Sequence, residues 1–217
     1  MSIPLPSHFF LIHGKTGAGK TRLLSCLKSK GQPVLDLETI AQHRGSAFGA
    51  NSFTMGQPDK ESFEQQIIDA LLKAVALDYC FVEQKGNNIG KRRIPEYLKE
   101  GIDDAMVIQL ESSSEMRIKH IREDYFSHPT CMEDAMESLT KLKEKMDPIL
   151  WKETYRMLES GDKDSFIKSM LEFYDSSTRY HLTQNPVLTV YVNADNEFEL
   201  AANQVLEFVQ QKIRTYS

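Results

Sequence analysis

The segment GKTGAGKT, residues 14–21, has the residue types and spacing of a phosphate-binding loop, the Walker A motif. Its glycines let backbone N–H groups curl around a phosphate, and the helix that follows points its positive end at that phosphate. The residues predicted to bind phosphates are Gly14, Thr16, Gly17, Gly19, Lys20 and Thr21. We expect Lys20 to reach the terminal phosphates and Thr21 to bind Mg²⁺. The motif predicts a polyphosphate or diphosphate ligand but does not identify it.

Acidic side chains at the ends of two predicted strands are candidates for a metal site. Asp36 and Glu38 end the second strand, and Glu83 ends the third, directly after the apolar run CFV. Ligands of open α/β folds bind at the carboxyl edge of the sheet, so we expect these groups near the loop. Asp36 is predicted to hold Mg²⁺ with Thr21 or to act as a base. Glu83 is predicted to replace the Walker B aspartate, whereas Glu38 fits a helix cap as well as a functional role.

Apolar periodicity predicts five strands that alternate with helices. The strands are expected at residues 8–13, 33–38, 78–83, 105–110 and 186–192. The helices are expected from the phosphate loop to about Lys30, over 59–77 with an Asp59 cap, from near Pro95, over 114–125, and from Asp195. The alternation predicts an α/β fold of the P-loop NTPase type, with a parallel five-stranded sheet flanked by helices.

One segment departs from this alternation. Residues 130–182 are helical by pattern, with a break at Pro148 and a second helix over about 164–182. We therefore predict a single P-loop domain over residues 1–217, with a lid-like helical insertion at 130–182.

Composition narrows the class of protein. The net charge of −5 excludes a uniformly basic nucleic-acid coat, so any polyanion must meet a local patch. The three cysteines, Cys26, Cys80 and Cys131, form no CxxC pair, which argues against disulfides and zinc and predicts buried, inert thiols. We find no signal peptide or membrane-spanning segment and expect a cytoplasmic protein without a membrane partner.

The passage VIQLESSSEMRIKHIRE, residues 107–123, resembles the strand-to-lid passage of nucleoside monophosphate kinases. In that interpretation the chain is an ATP-dependent small-molecule kinase, and Arg117 and Arg122 point at phosphates. The segment HRGSAFG, residues 43–49, is not the substrate loop expected of such a kinase. The kinase interpretation stays as an alternative.

A more specific resemblance is carried by an ordered set of segments. They are VLDLETIAQHRGSAFG at 34–49, GQPDKESFE at 56–64, FVEQKGNNIGKRRIPEYL at 81–98 and RIKHIREDYF at 117–126. Together they resemble the P-loop domain of tRNA 2-selenouridine synthases over roughly residues 10–126. The chain departs from that family at Gln84 and Lys85, where carboxylates are common. It also starts at the P-loop strand, so we expect the family's rhodanese domain to be a separate protein.

The resemblance implies two reactions on 2-thiouridine at the wobble position of tRNA. The sulfur is geranylated from geranyl diphosphate, and the geranylthio group is then replaced by selenium from selenophosphate. The P-loop domain would perform the first reaction with Mg²⁺, and the rhodanese domain the second. ATP or GTP stay possible ligands. Because the segment at Gln84 and Lys85 is altered, a third interpretation also stays open, in which the chain is a non-catalytic, NTP-dependent partner of another enzyme.

Negative charge builds on the departing diphosphate in such a transfer, so residues that stabilise this charge would be catalytic. The predicted catalytic residues are Lys20, Asp36, Arg44 and Glu83. Arg44 or Arg117 would stabilise the leaving group, and Gly45 and Gly49 would act as hinges that let Arg44 and Ser46 close over it. The predicted ligand-binding residues thus include Gly45, Ser46 and Arg117. Phe48, Phe53 and Met55 either wall the geranyl chain or belong to the core.

Two basic segments are candidates for tRNA contact. Residues 85–93 supply Lys85, Lys91, Arg92 and Arg93, and residues 117–122 supply Arg117, Lys119, His120 and Arg122. Phosphate contacts of this kind are salt-sensitive and independent of sequence. A merely solvated loop is the alternative for Arg92 and Arg93.

Overall fold

A five-stranded parallel sheet lies at the centre of the computed structural model, which describes residues 3–43, 48, 56–83, 87–176 and 185–216. Its strands are β1 (His8–His13), β2 (Val34–Leu35), β3 (Tyr79–Glu83), β6 (Met106–Ser112) and β7 (Leu188–Val192), and a separate antiparallel hairpin consists of β4 (Asn88–Ile89) and β5 (Arg92–Arg93). The order in the sheet is β2-β3-β1-β6-β7. The predicted α/β class with a parallel five-stranded sheet is confirmed.

Helices connect the strands. They are α1 (Lys20–Ser29), α2 (Leu37–Ala41), α3 (Lys60–Val75), α4 (Glu96–Asp103), α5 (Ser114–Tyr125), α6 (Cys131–Lys141), α7 (Pro148–Glu159), α8 (Lys163–Ser176) and α9 (Glu197–Tyr216). The Asp59 side chain caps α3 as predicted, and Asp147 caps α7, whose first residue is Pro148. None of the helices in the described part of the chain is long and apolar enough to span a membrane.

The central strand β1 is covered on both faces, as its unbroken apolar run predicts. Phe10 and Ile12 pack against α1 and α9, whereas Phe9 and Leu11 pack against α3 and α4. The two resulting cores hold the carboxyl edge of the sheet in place, where the phosphate loop begins.

The helices α5, α6, α7 and α8, which lie between β6 and β7, form a third apolar core. Leu139, Leu158 and Phe166 are fully or almost fully buried in it. The predicted insertion at 130–182 is helical in α6, α7 and α8, and residues 177–182 lie outside the described residues. The division into one domain with an insertion stays a prediction.

The second strand is shorter than predicted. It ends at Leu35 rather than at residue 38, because Asp36 caps a new helix. The Asp36 carboxylate accepts hydrogen bonds from the Thr39 backbone N–H at 3.0 Å and the Thr39 hydroxyl at 2.7 Å. The chain therefore turns into α2, and Asp36 and Glu38 are not strand residues.

Candidate phosphate-binding site

The phosphate loop joins β1 to α1 and is packed too closely for side chains at its glycines. A Cβ on Gly14 would lie 2.5 Å from the Leu110 carbonyl oxygen, and one on Gly19 would lie 2.4 Å from Cζ of Phe198. Gly17 and Gly19 also have φ values of 77° and 94°, in the left-handed region that favours glycine. The loop conformation thus depends on these glycines.

Lys20 is held at the loop by backbone carbonyls. Its ammonium donates to the carbonyl oxygens of Gly14 at 2.9 Å and Lys15 at 3.1 Å, and lies 3.8 Å from Glu83 Oε1. This position keeps a positive charge within reach of a phosphate in the loop.

Two buried carboxylates face the hydroxyl of Thr21. Thr21 Oγ1 lies 3.3 Å from Glu83 Oε2 and 3.5 Å from Glu38 Oε2, while Glu83 and Glu38 are only 2% and 4% exposed. A nearby cation stabilises buried carboxylates, and Lys20 supplies one beside Glu83. Oxygen donors are the ligands that Mg²⁺ prefers, so Thr21, Glu38 and Glu83 fit this ion.

Arg117 joins the loop to α8. Its Nε donates to the Thr16 carbonyl oxygen, and its two terminal nitrogens donate to the Asp175 carboxylate, each at 2.8 Å. Lys15 Nζ lies 3.5 Å from the same carboxylate. Burial would raise the pKa of Asp175, but the hydrogen bonds and charges of Arg117 and Lys15 outweigh it and lower that pKa overall. Arg117 therefore positions the loop, and its direct contact with a ligand stays a prediction.

Two further side chains hold loop carbonyls. The His120 ring is 1% exposed, and its Nδ1 lies 2.8 Å from the Gly17 carbonyl oxygen. Ser112 Oγ donates to the Ala18 carbonyl oxygen at 2.8 Å. Together with the hydrogen bond from Arg117 to Thr16, these contacts mean that side chains of β6 and α5 lie at the carbonyl oxygens of three successive loop residues. The loop is shaped in advance of binding, which lowers the entropy cost of holding a ligand.

An apolar cleft lies beside the phosphate loop. It contains about 420 Å³ of empty space, including the part open to solvent. Thr16 of the loop lines it on one side, and aromatic and aliphatic side chains of α5 and α8 line it on the other. Its lining includes Thr16, Phe48, Tyr125, Phe126, Phe166 and Met170. Of the three predicted wall residues, Phe48 is in the lining, and Phe53 and Met55 lie outside the described residues.

A family model described as the tRNA 2-selenouridine synthase AAA domain matches residues 7–213. The chain belongs to this family. Curated relatives include the tRNA 2-selenouridine synthase of Pseudomonas syringae pv. syringae (strain B728a), 36% identical over 117 residues, covering 53% of this chain and 30% of that protein. The synthase of Hahella chejuensis (strain KCTC 2396) is 27% identical over 210 residues, covering 83% of this chain and 54% of that protein.

This AAA domain spans about a third to a half of the length of those relatives. Among solved structures, a gluconokinase from Sinorhizobium meliloti 1021 is 11% identical with a TM-score of 0.45, covering 99% of each chain. A shikimate kinase from Acinetobacter baumannii is 15% identical with a TM-score of 0.38, covering 97% of this chain and 96% of the other. Similarity at this level carries no functional argument.

Several predicted site residues of the AAA domain are not among the described residues. Arg44, Gly45, Ser46 and Lys85 lie outside them, and their roles stay predictions. Asp36 is described, and its carboxylate is engaged by Thr39 rather than facing Thr21. Its roles as Mg²⁺ ligand and base stay predictions that this geometry does not support.

In the segment at 117–122 only Lys119 and Arg122 of the four predicted basic residues are exposed, and their contact with tRNA stays a prediction. Arg117 and His120 are buried against the phosphate loop. Lys119 and Arg122 are paired with Asp195 and Asp164. Sequence periodicity missed this because it does not show which acidic residues distant in the chain come to face a helix.

The other basic segment is organised by a glutamine that sequence reasoning did not single out. Gln57 Nε2 donates to the carbonyl oxygens of Ala41 at 3.1 Å and Ile89 at 2.8 Å. Gln57 Oε1 accepts the backbone N–H of Lys91 at 2.6 Å. These hydrogen bonds hold the hairpin β4–β5 against the end of α2. In the sequence, the motif QP at 57–58 was the signal that could have indicated this role of Gln57.

The three thiols of the AAA domain are free. Cys80 and Cys131 are buried, and burial raises the pKa of Cys80 to about 12. Burial and the neighbouring Glu199 also raise the pKa of the partly exposed Cys26. Within the described ranges, no group of three or more His, Cys, Asp or Glu side chains is arranged to hold a metal ion. The exclusion of zinc stays a prediction.

Proposed function

We propose that this chain is the geranyl-transferring part of a tRNA 2-selenouridine synthase. It would move the geranyl group of geranyl diphosphate to the sulfur of wobble 2-thiouridine in tRNA, and selenium exchange would require a rhodanese domain. The observation that carries the proposal is the apolar cleft beside Thr16 of the phosphate loop. A ligand that fills both the loop and the cleft has an anionic head and an apolar tail.

The loop suits a diphosphate leaving group. Negative charge grows on the diphosphate as the allylic C–O bond breaks, so fixed positive groups lower the barrier. Lys20, the loop N–H groups and the N-terminus of α1 supply them. Thr21, Glu38 and Glu83 would hold Mg²⁺, which supplies further positive charge to the diphosphate when bound. The apolar side chains of α5 and α8 would keep water away from the allylic carbon.

The acceptor in this proposal is tRNA, and the location proposed for the chain is therefore the cytoplasm. The sulfur of 2-thiouridine is a soft nucleophile, which suits attack on an allylic carbon. The exposed side chains of Lys91 and Arg93 on the hairpin β4–β5 are the described basic groups that support tRNA contact. Arg93 lies 3.4 Å from Glu96, an exposed pair that a phosphate could displace.

A ligand series tests the joint loop-and-cleft site. Burial of each methylene contributes about 0.8 kcal/mol, so each isoprene unit that enters the cleft should tighten binding by about 100-fold or more. We expect affinity to rise from inorganic diphosphate to dimethylallyl diphosphate to geranyl diphosphate, measured by calorimetry with Mg²⁺. Equal affinity for all three would contradict the assignment of the cleft.

Transfer itself is tested with purified protein, geranyl diphosphate, Mg²⁺ and tRNA containing 2-thiouridine, followed by mass spectrometry of the nucleosides. We expect S-geranyl-2-thiouridine from the natural chain and at least about a 100-fold loss with Lys20→Ala. Lys28→Ala, on the exposed side of the same helix, is the matched control. Absence of product, together with thermal stabilisation by ATP but not by geranyl diphosphate, would overturn the proposal in favour of the kinase alternative.

A further inference from the structure

Three polar side chains form a hydrogen-bonded row from the last residue of β1 to the second half of β6. His13 Nδ1 lies 2.9 Å from Gln109 Oε1, and Gln109 Nε2 lies 2.9 Å from Glu111 Oε1. Gln109 is only 4% exposed and lies on the sheet face that also carries Leu11 and Val107. A buried amide whose N–H donor and carbonyl acceptor are both hydrogen-bonded holds the two neighbouring side chains in a single orientation.

The chemistry of the row assigns the hydrogen on the histidine ring. The Glu111 carboxylate only accepts, so it is the amide nitrogen of Gln109 that faces it. The amide oxygen then faces His13 and must accept, so Nδ1 of His13 carries the hydrogen. In the neutral ring Nε2 therefore has the lone pair, and it lies across the ring from Gln109.

The row ends beside the phosphate loop. His13 is half-buried and directly precedes Gly14, whose carbonyl oxygen holds the ammonium of Lys20. An oriented imidazole in the residue directly before the phosphate loop has the chemistry for proton transfer to or from a substrate at this edge of the sheet. None of the roles assigned above uses His13, Gln109 or Glu111.

We propose that His13 is the general base of geranyl transfer, with Gln109 as its positioning residue. The inference rests on the function proposed above. The thiocarbonyl sulfur attacks C1 of the geranyl group, a C–S bond forms, and the C–O bond breaks with its electron pair going to the diphosphate. As the C–S bond forms, Nε2 of His13 accepts the proton from N3, so that the alkylated 2-thiouridine is neutral, and His13 later releases that proton to water.

The experiment measures kcat and KM for geranyl transfer in the natural chain and in His13→Gln, whose amide can still donate to Gln109. General bases contribute about 10²–10⁴-fold, so we expect kcat to fall by about 100-fold or more while KM for geranyl diphosphate stays within about threefold. His8→Gln changes the same residue type at the other end of β1 and should retain full activity. Thermal unfolding of each variant confirms that it is folded.

Chemical rescue separates a base from a structural histidine. Added imidazole should restore part of the activity of His13→Ala. It should restore none in Gln109→Met, where the histidine is present and its orientation is lost. Full activity of His13→Gln in a chain that transfers geranyl would overturn this inference and leave the proposed function standing. A natural chain that forms no geranylated nucleoside would instead overturn the proposed function.

Discussion

Two buried carboxylates, Glu38 and Glu83, face the hydroxyl of Thr21 beside the phosphate loop. Asp36, two residues before Glu38, accepts a hydrogen bond from the Thr39 backbone N–H in the first turn of α2. The difference is local: the residue that caps a helix turns its side chain back to the helix N–H groups, whereas a residue in the first turn can face the neighbouring element. At the residue scale, Glu38 is therefore the better candidate for holding Mg²⁺.

This assignment predicts a large effect for one substitution and a small effect for a similar one two residues away. Glu38→Gln should raise the Mg²⁺ concentration needed for half-maximal diphosphate binding by about 10-fold or more, because a carboxylate oxygen is lost. Asp36→Asn should change it by less than about twofold, since asparagine caps helices as well as aspartate does. Calorimetric titration with Mg²⁺ measures both, and a larger effect from Asp36→Asn would restore the original metal-ligand prediction.

At the scale of elements, α5 and α8 hold the phosphate loop and also line the apolar cleft. The link is the pair of Arg117 on α5 and Asp175 on α8, in which Arg117 is only 6% exposed. The same two helices carry a second, exposed pair between Arg122 and Asp164. The two pairs provide a matched comparison of buried and exposed charges.

Asp175→Asn should lower the free energy of unfolding by about 2–3 kcal/mol, because it leaves the buried guanidinium without its carboxylate. The partial exposure of Asp175 keeps the effect below that of a fully buried pair. Asp164→Asn should cost less than about 1 kcal/mol, since exposed pairs contribute little. Urea unfolding measures both values, and equal losses would show that burial of Arg117 does not decide the strength of this link.

At the scale of the whole molecule, several aspartates are stabilised in their charged form. Hydrogen bonds are the largest cause for five exposed or partly exposed ones, and each has a pKa below the ordinary value of 3.8: Asp59, Asp78, Asp134, Asp162 and Asp195. The pKa of Asp175 is lowered as well. These groups are spread over the helices and loops that cover the sheet.

The sign of the resulting pH dependence follows from these directions. A folded-state pKa below the unfolded one means that the stabilisation is present above about pH 4 and is lost as the pH falls through the folded-state values. We expect the urea midpoint to be nearly constant between pH 7 and pH 5 and to fall below pH 4. Asp175→Asn should make that decline shallower, and a midpoint that rises in acid would contradict the assignment.

What the sequence by itself determined lies mostly in local patterns. The glycine spacing of residues 14–21 predicts the phosphate loop, because positive φ values and close packing leave no space for side chains there. The continuous apolar runs predict a parallel sheet, since its strands are buried on both faces. The ordered motifs predict the family, which the match over residues 7–213 establishes.

Only the tertiary structure decided which side chains meet across long stretches of chain. The pairing of Arg117 with Asp175, the contact of His120 with Gly17, and the row from His13 to Glu111 join residues that periodicity treats separately. The apolar cleft likewise needs α5 and α8 side by side. Burial makes each of these contacts specific, because a charge or polar group taken out of water needs a partner that only the completed fold supplies.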